Sequence, residues 1–154
     1  MTQPSDIEQR DPKSVLAALS GEPSRFMVVA GLQLETVEAD LVTGTIELSA
    51  DHHQPFGIVH GGVYCAAIES AASVGAAVFA LGLGLTAVGV NNNTNFVRPL
   101  SEGRVRLTAC PLQQGRTQQL WDVRLVDDRD RLIATGQVRL AHVPLPADRP
   151  GPVG

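Results

Sequence analysis

The sequence has few cysteines, no excess of positive charge and no apolar leader, and each absence argues against a class of protein. Its two cysteines, Cys65 and Cys110, are too few for a disulfide scaffold and lack the spacing of a zinc site. Twelve Lys and Arg against 16 Asp and Glu leave a net charge of −4, which argues against a nucleic-acid partner. Residues 1–11 contain no apolar run that could serve as a secretory signal. We therefore expect a cytoplasmic protein without a bound metal.

One stretch lacks charge for long enough to raise the question of a membrane span. No residue from Ser70 to Val90 carries a charged side chain. Four glycines interrupt this stretch, and the two at Gly82 and Gly84 are typical of a helix end. No basic flank or aromatic belt frames it. We predict a buried core helix followed by a strand, and no membrane partner.

Periodic patterns predict an α+β fold in which an antiparallel sheet packs on one long helix. An Ala-rich run, apolar almost all round, predicts a helix from Gly62 to about Leu81. Alternating apolar and polar residues predict strands at residues 32–38, 41–48, 86–97, 104–112, 117–126 and 131–141. One flat sheet cannot cover such a helix, so we expect a curved sheet that wraps it, a second protomer, or both.

Composition divides the chain into one domain and two flanking segments. The predicted segments are an N-terminal arm at 1–25 with a short helix at 14–19, a folded domain at 26–142 and a tail at 143–154. Four prolines in a polar context make the tail a candidate for disorder. No internal repeat is visible.

Glu69 stands out because of its surroundings. It is the only carboxylate between His60 and Arg98, and that interval contains no basic residue. An unpaired ion buried in an apolar helix costs several kcal/mol, so the position should be solvated, paired or functional. The neighbouring helical turns offer no other charged residue and therefore no polar stripe. This favours a functional carboxylate over one on a solvent-facing stripe.

The segment that leads into the predicted helix complements this carboxylate. His60, Gly61 and Gly62 stand directly at the helix start. Glycines there allow unpaired backbone N–H groups to approach a ligand closely, and the helix dipole favours negative charge at this end. These are the properties of an oxyanion hole, although glycines at a helix start are also common as turn residues.

The spacing between the two features has a geometric consequence. Glu69 follows Gly61 by eight positions (69 − 61 = 8), which is about 12 Å along a helix axis. One carbonyl carbon cannot lie within reach of both groups of the same chain. If both act on one substrate, they come from different chains. The spacing therefore predicts a dimer with two equivalent shared sites.

Three parts of the chain together resemble a known family. They are the run from Gln54 to Gly62 (Gln-Pro-Phe-Gly-Ile-Val-His-Gly-Gly), then Glu69, then the run from Asn95 to Pro99. This combination resembles the hotdog-fold acyl-CoA thioesterases, and most closely the PaaI-like group with the second type of 4-hydroxybenzoyl-CoA thioesterase. The resemblance implies a sheet wrapped round one central helix. It also implies a homodimer, often a dimer of dimers, that hydrolyses small or medium acyl-CoA or aroyl-CoA without a cofactor.

The resemblance also implies roles for individual residues. Glu69 matches the catalytic carboxylate, which acts as nucleophile or as general base toward water. Gly61 matches the N–H donor that polarises the thioester carbonyl, and Gln54 the amide that orients the carbonyl or the water. Ser73 matches a hydroxyl position that holds the water, with a hydrogen bond to the carbonyl four residues earlier as the competing interpretation. For His60 we favour a structural role, satisfying loop carbonyls, over acid–base catalysis.

Further residues match positions that bind coenzyme A. They are Gly62 at the helix start and Arg98, Arg116 and Thr117, where relatives contact phosphates. The alternative for the two arginines is an ordinary exposed surface residue, because the phosphate role requires them to converge at one tunnel mouth. Relatives often carry Asp and Asn at the positions of Glu69 and Gln54. The Glu and Gln pair fits the aroyl-CoA branch without proving an aromatic substrate.

Two other functions compete with thioester hydrolysis. A non-catalytic hotdog protein that binds or senses acyl-CoA would keep the tunnel and the arginines but would have no use for Glu69 or Gln54. A hotdog dehydratase or hydratase relies on a catalytic histidine and a carboxylate at a different spacing, which His60 does not supply. The sequence leaves open the acyl group and whether Glu69 is the nucleophile or the base. It also leaves open whether the thioester is carried by CoA or by a protein-bound pantetheine.

Overall fold

The computed structural model describes residues 25–144, so the helix predicted at 14–19 and nearly all of the predicted tail lie outside the described residues. The elements follow in the order α1 (Arg25–Ala30), β1 (Gln33–Val37), β2 (Val42–Leu48), a 3-10 turn (Ala50–His52), α2 (Gly61–Leu81), β3 (Leu85–Phe96), β4 (Gly103–Gln114), β5 (Gln118–Asp127) and β6 (Leu132–Pro144). The long helix and the six predicted strands are confirmed. The short helix α1 was not predicted, because its six residues show no helical period.

The strands form one antiparallel sheet in the order β1-β2-β4-β5-β6-β3. Alternation along each strand explains this: Val105, Leu107 and Ala109 of β4 are buried, and the residues between them are exposed. The edge strands are β1 and β3. The sixth strand, β6, ends two residues beyond the domain boundary predicted at 142, because Pro144 still pairs with Leu85 at the start of β3.

The helix α2 lies at the centre of the fold and contacts all six strands, as a curved sheet requires. Its buried residues are Tyr64, Ala67, Ile68, Ala71, Ala72, Gly75, Ala76, Ala77 and Ala80. Among residues 25–144, α2 is the one helix long and apolar enough to cross a membrane. The helix is apolar because it packs against the sheet and forms the core of the domain.

The second half of α2 packs closely on β5. A Cβ atom at Gly75 would lie 2.3 Å from Cη2 of Trp121, and Trp121 is completely buried. Glycine therefore allows the indole ring to lie directly against the helix backbone. Any larger residue would have to displace a ring that is enclosed on all sides.

A buried polar cluster closes the same end of the helix. We call Gln114, Gln119, Trp121 and His142 the Gln119 network. Nε2 of Gln119 donates to the carbonyl of Ala76 (2.9 Å) and lies 2.8 Å from Nε2 of His142. Oε1 of Gln119 accepts from Nε1 of Trp121 (2.9 Å) and from Nε2 of Gln114 (3.2 Å). Each polar atom of the buried Gln119 side chain is thus hydrogen-bonded, as a group removed from water requires.

Candidate active site

A short loop carries Gln54 toward the start of α2. His53 and Val59 form an isolated antiparallel bridge, and the Gln54 N–H donates to the carbonyl of Ile58 at 2.9 Å. Oε1 of Gln54 accepts a hydrogen bond from the Phe56 N–H. The side chain therefore stabilises its own loop, and its NH2 group has no partner within residues 25–144. That NH2 group remains available to a ligand.

His60 caps the first turn of α2. Its Nδ1 accepts a hydrogen bond from the Gly62 N–H at 2.8 Å. The role is structural, as favoured above, but the group that His60 satisfies is an N–H and not a loop carbonyl. The Gly62 N–H is consequently occupied, which corrects the expectation that Gly62 offers a backbone donor to substrate in this arrangement.

Gly61 differs from Gly62 in this respect. In the part of the chain that the structure describes, its N–H has no hydrogen-bond partner, because it is the first residue of the helix. The ring of Phe96 lies directly over its Cα, and an added Cβ would be 2.6 Å from Cζ of that ring. Phe96 is itself 59% exposed. Within residues 25–144, the helix start therefore presents one free donor beside an exposed aromatic side chain.

Glu69 lies on the face of α2 that the sheet leaves open. Its side chain is exposed in the single chain, and within residues 25–144 it forms no ion pair. On β3, a Cβ added at Gly89 would stand 3.7 Å from Oε1 of Glu69. Of the three states that the sequence allowed for this position, solvated, paired or functional, the single chain therefore shows a solvated carboxylate without an ion pair among residues 25–144. Only a further covering surface would enclose it.

A β-bulge decides which residues in the asparagine-rich run of β3 face the helix. Gly89 pairs with Leu140 and Asn91 pairs with Arg139, so Val90 is an extra residue. Beyond the bulge, Asn92 and Thr94 face α2 and are partly buried, and the intervening asparagines are exposed. Sequence patterning found this run but could not orient it, because the bulge reverses which positions face inward.

Ser73 lies one helical turn after Glu69 and is partly buried. Its hydroxyl makes no hydrogen bond to any residue in the range 25–144, so the competing interpretation of a bond to the carbonyl four residues earlier is not observed. The neighbouring Ser70 donates weakly to Sδ of Met27, at 3.5 Å, which places α1 against this turn. Ser73 is thus free to bind water near Glu69.

The residues expected to bind coenzyme A lie at opposite ends of β6. The Arg98 N–H donates to the carbonyl of Ile133, and the His142 N–H donates to the carbonyl of Thr117, next to Arg116. Nine residues of strand separate these two points (142 − 133 = 9), which is about 30 Å. One chain therefore does not bring Arg98 and Arg116 to the same phosphate group. Their convergence requires two chains.

Tyr64 is a buried residue, and the surroundings of its hydroxyl could not be predicted from the sequence. It is only 3% exposed, and its hydroxyl has no hydrogen-bond partner among residues 25–144. Its ring centroid lies 6.4 Å from that of Phe96. Burial raises the pKa of Tyr64 to about 12, because the phenolate would be removed from water. Nothing in the sequence pattern indicates an unpaired hydroxyl at this position.

The arrangement supplies two complementary chemical functions. A free N–H at a helix start can stabilise an oxygen that gains negative charge, and an exposed carboxylate can act as nucleophile or base. In one chain the two groups lie about 12 Å apart along α2, so they do not act on one carbonyl. Among residues 25–144, no group of three His, Cys, Asp or Glu side chains is placed to hold a metal.

Comparison with known proteins is consistent with this geometry. Residues 56–134 match the thioesterase superfamily. The solved structure of Rv1847/MT1895 from Mycobacterium tuberculosis is 46% identical, has a TM-score of 0.75 and covers 81% of this chain and 98% of that one. The proofreading thioesterase EntH of Klebsiella pneumoniae is 35% identical over 78% of this chain and 88% of its own length. The 1,4-dihydroxy-2-naphthoyl-CoA hydrolase of Listeria monocytogenes is 30% identical over 72% and 89%, respectively.

Proposed function

The chain belongs to the thioesterase superfamily and is a thioester hydrolase, and on this premise we propose that it hydrolyses a small or medium acyl-CoA or aroyl-CoA at a site shared by two protomers. Glu69 of one protomer acts on a carbonyl that the Gly61 N–H of the other polarises. The observation that carries the proposal is the unpartnered Gly61 N–H at the start of the same helix that bears Glu69.

The free edge of the sheet supports a second protomer. As an edge strand, β3 presents unpaired backbone groups, and several apolar side chains along it are exposed. These side chains, with Val97 just beyond the strand, are Val88, Val90, Phe96 and Val97. A second copy seated there would cover the apolar surface and enclose Glu69. A dimer of dimers would require a second surface, because a two-fold pairing at β3 uses this edge of both protomers.

The chemistry requires no cofactor beyond the coenzyme A of the substrate. The thioester oxygen accepts a hydrogen bond from the Gly61 N–H, where negative charge develops. Glu69 either removes a proton from the attacking water or attacks the carbonyl carbon itself, forming an anhydride that water then cleaves. The carbon–sulfur bond breaks in either route, and the products are the free acid and CoA. Gln54 and Ser73 orient the carbonyl and the water.

The relatives indicate which substrates to test first. The Listeria relative is named for an aromatic CoA thioester, which supports including aroyl-CoA in the panel. In a shared site, Arg98 of one protomer and Arg116 and Thr117 of the other could converge on the coenzyme phosphates. A panel of short, medium and aryl thioesters would therefore identify the acyl class.

The first experiment tests the role of Glu69. We expect Glu69→Gln to lower turnover at least about a hundredfold while CoA-thioester binding is retained, because the amide is neither a base nor a carboxylate nucleophile. The measurement is thiol release across the panel. Glu47→Gln, at an exposed carboxylate on β2, is the matched control and should hydrolyse as wild type does. Retained turnover in Glu69→Gln would place the chemistry elsewhere.

The second experiment tests the Gly61 donor and the shared site together. Gly61→Pro removes the N–H at a first helical position that tolerates proline, and the ψ of 128° at His60 is compatible with a following proline. Gly61→Ala disturbs Phe96 in the same way but keeps the N–H, so it is the control. We expect Gly61→Pro to lose at least about tenfold more turnover than Gly61→Ala.

Mixed dimers then distinguish a site formed by one chain from a site shared by two chains. A protomer with Gly61→Pro paired with one carrying Glu69→Gln retains one site with both groups intact. Co-expression should therefore restore up to about half of the wild-type activity per mixed dimer, if each site takes one group from each chain. No restoration, or a fully active monomer by light scattering, would contradict the shared site.

A further inference from the structure

The inward-facing asparagine of β3 contacts the turn of α2 that carries Glu69. Nδ2 of Asn92 donates to the carbonyl of Cys65 at 3.0 Å. Oδ1 of Asn92 accepts a hydrogen bond from Oγ1 of Thr94 at 2.7 Å. The hydroxyl of Thr94 therefore holds the amide with its NH2 group toward the helix. The amide is fixed at both ends.

This contact depends on the bulge at Val90. In a regular strand, residues three positions apart face opposite sides of the sheet. Gly89 and Asn92 nevertheless both face α2, because the extra residue reverses the alternation between them. The strand thus approaches the helix on both sides of the bulge.

The carbonyl of Cys65 is the helical acceptor for the Glu69 N–H, because residues four apart are paired in an α-helix. A carbonyl oxygen can accept two hydrogen bonds, so Asn92 adds a second donor without displacing the first. On the other side of the bulge, Gly89 lies beside the Glu69 carboxylate. One strand therefore contacts the backbone anchor of Glu69 and passes beside its carboxylate.

We propose that Asn92 is a positioning residue for the reaction of Glu69. Through Cys65 it holds the catalytic turn of α2 at a fixed distance from β3, and Thr94 sets the orientation of its amide. This inference rests on the proposed function of Glu69. Asn92 itself does not touch the reacting atoms in this assignment.

The test compares three substitutions on the same strand. Asn92→Leu keeps the size of the side chain but removes the donor, and kcat should fall about tenfold with KM changed less than about twofold. Thr94→Val leaves Asn92 in place without its orienting donor and should lower kcat about threefold. Asn93→Leu, at the exposed neighbour on the opposite face, is the control and should hydrolyse normally. If Asn92→Leu does not fold, the test rests on Thr94→Val, in which kcat should fall while KM stays nearly unchanged.

A double-mutant cycle separates positioning from simple stability. In a Glu69→Gln background, Asn92→Leu should lower the residual turnover no further, because the group it positions is already lost. An equal loss in both backgrounds, or a lower unfolding free energy with unchanged kcat, would overturn the proposal. Wild-type turnover in Glu69→Gln alone would instead refute the proposed function, so the two failures are distinguishable.

Discussion

The two halves of α2 differ in how many of the polar groups around them find hydrogen-bond partners within one chain. In the first half, the Gly61 N–H and the Tyr64 hydroxyl have no partner among residues 25–144, and Glu69 is exposed. In the second half, Gly75 lies tightly against Trp121 and the Gln119 network leaves no polar atom of Gln119 unpaired. The polar groups described in the second half are therefore satisfied within one chain, and the first half is left with groups that substrate and a second chain can use.

The strongest way to break this comparison is to enlarge Gly75. We expect Gly75→Ala to lower the free energy of unfolding by about 3 kcal/mol, because the added methyl group collides with a fully enclosed indole ring. Urea unfolding measures the loss. The control is Val74→Ala at a partly exposed neighbour, which should cost less than about 1 kcal/mol. Wild-type stability in Gly75→Ala would show that the two halves are packed alike.

A smaller effect is expected when the Gln119 network is removed. Gln119→Leu should cost about 2 kcal/mol, because Trp121 and His142 lose their buried partner. Gln118→Leu is the matched control, since the adjacent side chain is exposed, and it should change stability by less than about 0.5 kcal/mol. Equal losses of unfolding free energy in the two variants, measured by thermal or denaturant unfolding, would contradict a stabilising role for the Gln119 network.

The smallest effect, and of opposite sign, is expected at Tyr64. Tyr64→Phe removes a hydroxyl that has no partner in the described part of the chain, so the unfolding free energy at pH 7 should stay the same or rise by up to about 1 kcal/mol. A loss larger than about 1 kcal/mol would mean that the hydroxyl is satisfied. That result would remove one of the differences between the two halves of the helix.

The same variant has a defined dependence on pH. The pKa of Tyr64 is about 12 in the folded chain, above the ordinary value near 10, so the folded state favours the neutral phenol. This contribution is complete below pH 10 and is lost as the pH rises from 10 to 12. Wild type should therefore lose stability more steeply than Tyr64→Phe in that window. Parallel curves of unfolding free energy against pH for the two proteins would contradict the raised pKa of Tyr64.

Local periodicity was enough to predict the strands and the long helix, because alternation and helical period depend on neighbouring residues. The same reasoning found Glu69 by contrast with its apolar neighbours and Gly61 by its place at the helix start. It could not orient Asn92, since a single extra residue in β3 decides which side chains face inward. It also could not separate Arg98 from Arg116, because their distance depends on which strands pair. It did not predict that Glu69 is exposed in the single chain, because exposure depends on which part of α2 the sheet covers.

The bulge at Val90 gives β3 one residue more than the segment of β6 with which it pairs. Gly89 and Asn91 pair with the consecutive residues Leu140 and Arg139, so a deletion of Val90 would remove the bulge and leave residues 91–96 in their present register. Asn92 and Phe96 would keep facing α2 after such a deletion. The bulge is therefore a point of the chain at which the loss of one residue can be absorbed without exchanging the two faces of the strand.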